Sequence, residues 1–175
     1  MVDSAIANVR VADEPDLTAI AEIYAGYVVA GVATFELDPP DTDEWRRRFR
    51  AFTGAGLPFL VAEQDGRIAG YAYCAPWKTR PAYRHTAETS IYLAGWARGR
   101  GLGGTLLDAL VDRAVDAGVR QLIAVVADTG DDASLALHRK HGFADAGRLR
   151  DVGFKHGRWL DTVLLQRNLV NSTTA

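Results

Sequence analysis

The stretch Arg98-Gly99-Arg100-Gly101-Leu102-Gly103-Gly104 constrains this chain more than any other. It follows a strand-like run, Thr89 to Leu93. It leads into a helical pattern with Leu102, Leu106, Leu110 and Ala114 on one face, stopped by Gly118. It therefore reads as a strand-to-helix turn. A helix start leaves its first backbone N–H groups unpaired and carries partial positive charge. Glycines let an anion approach those donors closely, because no Cβ intervenes. Helix-end electrostatics supply roughly 0.3–2 kcal/mol per charge, so N–H bonds and the two arginines must do most of the anchoring. A pyrophosphate is the natural ligand. A Walker loop is excluded, because Gly104-Thr105 lacks the preceding lysine. A dinucleotide fingerprint belongs after the first strand, with an acid about 20 residues on, whereas this turn lies past the middle. Taken alone, the pattern is equally a helix start with loose glycines.

The rest of the chain frames that turn. Val9 to Val11 reads as a first strand. Asp13 caps a helix carrying Leu17, Ile20, Ile23, Tyr24 and Tyr27, with Pro15 in its first turn and Gly31 at its end. Asp41 or Thr42 caps a second helix with Trp45, Phe49 and Phe52 on one stripe, closed by Gly54 and Gly56. Strands Phe59 to Ala62 and Ile68 to Tyr73 flank Asp65-Gly66, a strong hairpin signal. Leu122 to Val126 is a continuous apolar run, expected of a strand covered on both faces. Ala133 to Lys140 reads as a short helix. Two last strands flank Gly153 to Gly157, the second at Leu160 to Leu165. The order is strand, helix, helix, three strands, helix, strand, helix, two strands. That predicts an α/β (α+β) layer architecture around one mixed central sheet.

The 175 residues fit a single domain, 1–175, with an ordered core of about 8–169 and a frayed tail from Val170. Apolar residues make up 48% and charged residues 24%, enough to fold without disulfides or a structural metal. The net charge of −2 announces neither a nucleic-acid nor a membrane surface. Arg46-Arg47-Arg48 reads as a solvated helix face. Cys74 is the only cysteine, so neither an internal disulfide nor a Cys-rich zinc site can form. Met1 to Val9 shows no leader and no apolar span, so the cytoplasm is the expected compartment.

Arg98-x-x-Gly101-x-Gly103 resembles the Arg/Gln-x-x-Gly-x-Gly/Ala signature of the GNAT superfamily. Further runs recur in order: Thr34-Phe35-Glu36, Pro76-Trp77-Lys78-x-Arg80-x-x-Tyr83, Glu88 in Glu-x-Ser-Ile-Tyr, Ser134-x-x-x-His138-x-x-x-Gly142-Phe143, and Val152-Gly153-Phe154-Lys155-His156-Gly157-x-Trp159-x-Asp161. The ordered set, from about Val9 to Leu169, resembles the phosphinothricin and methionine sulfoximine N-acetyltransferases. The resemblance implies a GNAT fold of about seven strands with a V-shaped splay and four flanking helices. It implies acetyl transfer from acetyl-CoA to the α-amine of a small amino acid analogue, and a homodimer. It places Ile91, Tyr92 and Leu93 against pantetheine and the acetyl carbonyl, and Arg98, Gly99, Arg100, Gly101, Leu102, Gly103 and Gly104 around the pyrophosphate. Asp131 and Ser134 border the cofactor. Relatives often carry asparagine where Asp131 stands, which removes a donor, and Asp128 and Asp132 make this loop acidic.

The chemistry then selects side chains. An α-ammonium has a pKa of roughly 8, so a proton must leave before the amine attacks a thioester. Glu88, beside the cofactor-binding stretch and among apolar neighbours, is the candidate base, directly or through water; the alternative is a surface carboxylate. His138 stands where many GNAT enzymes carry tyrosine. It is a candidate proton relay or cofactor contact, or else a structural histidine. Lys78, Arg80 and Tyr83 are candidates for the acceptor's acid group, with Phe35 as an apolar wall; the alternatives are a solvated loop for the cations and core packing for Phe35. Trp77 and Trp159 are expected to pack. No metal is expected, because His138 and His141 have no suitably spaced carboxylate. Two other functions compete: acetylation of a protein N-terminus or lysine, and a non-catalytic acetyl-CoA-binding regulatory module. The Lys78/Arg80 pair argues for a small anionic acceptor over a protein. The presence of both Glu88 and His138 argues for catalysis over sensing.

Overall fold

The computed structural model describes residues 7–170. The expectations of a frayed tail and of an absent leader fall largely outside them. The elements run β1 (Asn8–Val11), α1 (Leu17–Ala30), α2 (Thr42–Gly54), β2 (Phe59–Gln64), β3 (Arg67–Pro76), β4 (Thr86–Leu93), α3 (Leu102–Asp116), β5 (Gln121–Ala127), α4 (Ala133–Lys140), β6 (Ala144–Lys155) and β7 (Arg158–Asn168). This is the order expected from the sequence. The seven strands form one sheet in the order β1-β2-β3-β4-β5-β7-β6. Every pairing is antiparallel except β4 with β5.

That one parallel pairing makes the fold's opening. It joins only Thr86–Thr89 to Gln121–Ala124. Beyond it, β4 continues along β3 to Leu93, opposite Gly70, while β5 continues along β7 to Ala127, opposite Thr162. The two strands therefore diverge and leave facing edges unpaired with each other. Gly70 permits the close packing here: a Cβ on it would lie 2.5 Å from the Leu93 side chain and 2.9 Å from the Tyr92 carbonyl.

Two layers cover the sheet. Under α3 the core is aliphatic, with Leu106, Leu107, Leu110, Leu122 and Leu165 fully buried. Under α1 and α2 it is largely aromatic. Tyr24 meets Trp45 edge-on at 5.2 Å, and Trp45 meets Tyr71 at 5.6 Å, each such pair contributing about 0.5–1.5 kcal/mol beyond its area. Asp41 caps α2 by accepting the Glu44 N–H at 2.8 Å. Asp13 precedes a 3-10 turn, Glu14–Asp16, which holds Pro15 and delays α1 to Leu17.

The structure corrects four expectations. First, β5 is not covered on both faces: Leu122, Ala124 and Val126 are buried, but Val125 is 37% exposed. Its outer side borders the opening, where no helix packs. Second, the last hairpin turns at His156-Gly157, with left-handed φ of 51° and 74°, and Gly153 lies inside β6. Third, Trp159 does not pack into the body. It stays exposed at that hairpin, 5.0 Å from the Phe154 ring, because no layer covers the tip. Fourth, the arginine run is only partly a solvated face. Arg46 and Arg47 pair with exposed or flanking acids, while Arg48 turns inward to Glu36 at 2.7 Å.

Candidate active site

The strand divergence creates a cavity of about 370 Å³. One wall is β4, through Ile91, Tyr92 and Leu93. The other is β5, from Ala124 to Ala127. Its mouth is the glycine-rich turn, through Arg98, Gly99 and Gly103. Asp131, Ser134 and His138 complete it from the loop before α4 and from α4 itself. Gly99 and Gly101 take left-handed φ of 74° and 79°, a conformation costly for residues with a Cβ. That backbone aims the start of α3 at the mouth. Position in the helix leaves the Leu102 and Gly103 N–H groups without intrahelical acceptors, whereas Gly104 N–H bonds to Gly101 carbonyl at 3.1 Å. Arg100 is exposed and Leu102's side chain is buried in the core. Arg100, Gly101, Leu102 and Gly104 shape the turn without lining the cavity.

His138 is buried, 3% exposed, and packs edge-on to Phe143 at 5.1 Å. Its Nδ1 lies 2.8 Å from the Ser134 carbonyl. A carbonyl only accepts, so Nδ1 carries the proton and Nε2 keeps its lone pair. Burial pushes the imidazole pKa below its ordinary value, with the Ser134 bond opposing and His141 adding to the fall. His138 is thus a neutral acceptor at neutral pH.

A second cavity adjoins the first across Ala33, Ser90, Tyr92, Val125 and Ala127, which line both. Glu88 lies here, on the face of β4 that Ser90 and Tyr92 share. Burial raises its pKa above the ordinary glutamate value, and the Lys78 charge opposes that rise. Opposite lies the Thr34-Phe35-Glu36 loop. The Thr34 hydroxyl bonds Tyr24 at 2.6 Å, and Glu36 accepts from Arg48 at 2.7 Å and from Tyr24 at 3.2 Å. The loop is pinned from behind by β6. Lys155, 3% exposed, donates to the Thr34 carbonyl at 2.9 Å, and the Phe35 ring packs on Gly153, whose added Cβ would sit 2.3 Å from it.

Of the acceptor candidates, only Phe35 lines this second cavity. Lys78, Arg80 and Tyr83 are exposed between β3 and β4, with the Lys78 ammonium 4.8 Å from the Trp77 ring. Sequence reasoning gave no site role to Tyr24, Thr34, Glu36, Ser90 or Thr162, all of which line the second cavity. Thr34 and Glu36 stood inside a quoted run, so their proximity to Phe35 was the available signal. The acidic loop also gains an explanation. Asp128 and Asp161 share Arg148 at 2.6 and 3.0 Å, and Asp131 accepts the Ala133 N–H at 3.0 Å, starting α4. Cys74 is no nucleophile: burial pushes its thiol pKa up to about 12. Among the described residues no cluster of three or more His, Cys, Asp or Glu side chains could hold a metal.

The Acetyltransferase (GNAT) domain profile matches residues 9–164. The chain is 53% identical over 162 residues to a phosphinothricin N-acetyltransferase of Alcaligenes faecalis, covering 93% of this chain and 82% of that one. It is 38% identical to an L-methionine sulfoximine/L-methionine sulfone acetyltransferase of Pseudomonas paraeruginosa, covering 93% and 95%. Its structure superimposes with a TM-score of 0.91 on a GNAT superfamily phosphinothricin acetyltransferase from Sinorhizobium meliloti in complex with AcCoA, at 46% identity, covering 97% and 92%. The fold, the divergent strands and these likenesses agree: the chain belongs to the GNAT acetyltransferase family.

Proposed function

We propose that the protein is an acetyl-CoA-dependent N-acetyltransferase whose acceptor is the α-amine of a small amino acid analogue of the phosphinothricin, methionine sulfoximine or methionine sulfone type. The observation that carries this is the meeting of two cavities across Ser90, Tyr92 and Val125, with Glu88 on the acceptor side. The first cavity fits acetyl-CoA: a β4 edge unpaired with β5 for the pantetheine, and left-handed glycines with Arg98 for the pyrophosphate. When bound there, acetyl-CoA supplies the activated acetyl carbonyl.

Glu88, as carboxylate, takes one proton from the acceptor's ammonium, directly or through water. The freed amine nitrogen bonds the acetyl carbon, the carbon–sulfur bond breaks, and the departing thiolate takes up the second proton that the nitrogen sheds as it becomes the amide. A positioned base is worth about 10²–10⁴ in rate, or about 3–5 kcal/mol. His138, neutral with Nε2 free, accepts a proton or a cofactor N–H; it must first be protonated to donate to sulfur. The Thr34–Glu36 loop, pinned by Lys155 and Arg48, walls the second cavity and favours a small acceptor over a protein chain. On this reading the acceptor's acid group is met by Lys78, whose charge acts on Glu88, with Arg80 two residues on.

The β6–β7 hairpin exposes Val152, Phe154 and Trp159. With the family resemblance, this supports a homodimer joined through that face. No described helix is long and apolar enough to cross a membrane, and a cytoplasmic site of action is part of the same proposal. The test is thiol release from acetyl-CoA against phosphinothricin, methionine sulfoximine, methionine sulfone and the common amino acids. Release with at least one acceptor, falling about 10²–10⁴-fold in Glu88→Gln, is the expected result. Thiol release with no acceptor in the panel, or undiminished in Glu88→Gln, contradicts it.

A further inference from the structure

Leu93 ends β4 on the unpaired edge. The ladder to β3 continues through its neighbour, since Ala94 N–H donates to the Ala69 carbonyl at 2.8 Å, so Leu93's own N–H and C=O face the divergence. Both are engaged by one atom. The Tyr27 hydroxyl donates to the Leu93 carbonyl at 2.8 Å and accepts from the Leu93 N–H at 3.2 Å. Tyr27 comes from α1, 66 residues away in sequence, and lines the first cavity. The Arg98 guanidinium lies 4.7 Å from the centre of its ring, and Tyr92 meets that ring at 5.0 Å.

A donor and an acceptor side by side on one strand residue are what an incoming secondary amide pairs with, as in β-strand addition. A phenol meets both needs with a single oxygen. Its ring also offers a face to the guanidinium that leads into the glycine turn. We propose that Tyr27 is a positioning residue that holds the place of the pantetheine amide. It keeps the Leu93 edge hydrogen-bonded before acetyl-CoA arrives and yields that edge when the cofactor enters. Through Arg98 it links this exchange to the pyrophosphate turn. The proposal rests on reading the first cavity as the acetyl-CoA site.

A placeholder competes with what replaces it. Removing the hydroxyl weakens the empty protein but not the loaded one, so the difference returns as affinity. The experiment compares wild type with Tyr27→Phe by calorimetric titration with coenzyme A and by thermal unfolding with and without it. Circular dichroism checks the fold. The expected result is a lower Tm for the empty variant, a Tm matching wild type when saturated, and binding about three- to tenfold tighter. A variant that binds coenzyme A equally or more weakly, with the same Tm loss in both states, makes Tyr27 a permanent strut and overturns the proposal. The wild type alone gives a second readout. Releasing the phenol from a carbonyl shifts tyrosine near-ultraviolet absorption to shorter wavelength on coenzyme A saturation, and saturation without that shift overturns it too. If wild type takes up no coenzyme A at all, the cofactor reading itself falls, and this proposal with it.

Discussion

The two faces of the sheet are built from different chemistry. Below α3 the packing is leucine, valine and alanine, and it supports the turn that reads as the pyrophosphate site. Below α1 and α2 it is tyrosine, tryptophan and phenylalanine, and it opens into the cavity that holds Glu88. The aliphatic layer carries little polar side-chain chemistry: its buried Thr89 hydroxyl bonds the Ile123 carbonyl at 3.4 Å. The aromatic layer brings hydroxyls that bind one another and the acceptor loop, as Tyr24 does with Thr34 and Glu36. It also leaves the Tyr71 hydroxyl and Trp45 Nε1 buried without a protein partner. Under the proposed function, one face supports the cofactor turn and the other meets the small acceptor.

The contrast breaks most readily on the aliphatic side. Leu106→Ala, at a fully buried position, is expected to cost about 2–5 kcal/mol of stability by urea unfolding. Acceptor KM should stay within about twofold of wild type in the molecules that remain folded, since a core truncation acts through packing. A change in acceptor KM out of proportion to the stability loss would erase the division of labour. On the other face, Gly153→Ala drives a Cβ into the Phe35 ring. The cost of such overpacking, about 1–3 kcal/mol, should appear chiefly as a raised acceptor KM, with coenzyme A affinity unchanged by calorimetry. Tyr71→Phe is the smallest change. It removes a buried hydroxyl with no partner, so stability should hold or rise by about 1 kcal/mol. A clear loss would mean that the hydroxyl is satisfied by water, and that the aromatic layer is wetter than its side chains imply.

The sequence revealed the support better than the site. Element order followed from helical and strand periodicity, and Asp65-Gly66 takes the left-handed pair of φ values that a tight hairpin needs, 53° and 71°. The strand divergence has no local signal, because it depends on where pairing stops between segments about 30 residues apart. The same gap explains Val125, whose apolar run reads as doubly covered but whose outer face borders the opening. Lys155 is harder still. A lysine in a polar hairpin reads as solvated, yet its ammonium is buried against the Thr34 carbonyl from 121 residues away. Burial holds its pKa below the ordinary value, with Glu36 opposing. The position of Glu88 beside the opening was legible through the resemblance of its strand, whereas the sequence left Lys78 and Arg80 between an acid-binding role and a solvated loop, and they are exposed.

Glu88 stands on the aromatic face, in the second cavity, and its titration tests the proposed role. Burial favours its protonated form in the folded chain, so between the ordinary carboxylate pKa and the raised one the folded state binds more protons than the unfolded. Its contribution to stability therefore falls as pH rises through that window. Activity runs the other way, because only the carboxylate accepts the amine's proton. The decisive measurement is kcat/KM against pH, with methionine sulfoximine as acceptor, for wild type and Glu88→Gln. The account predicts an acidic limb in wild type whose midpoint lies above the ordinary glutamate pKa, and a much slower variant from which that limb is gone. The same limb in both proteins, at comparable rates, would show that the proton leaves by another route.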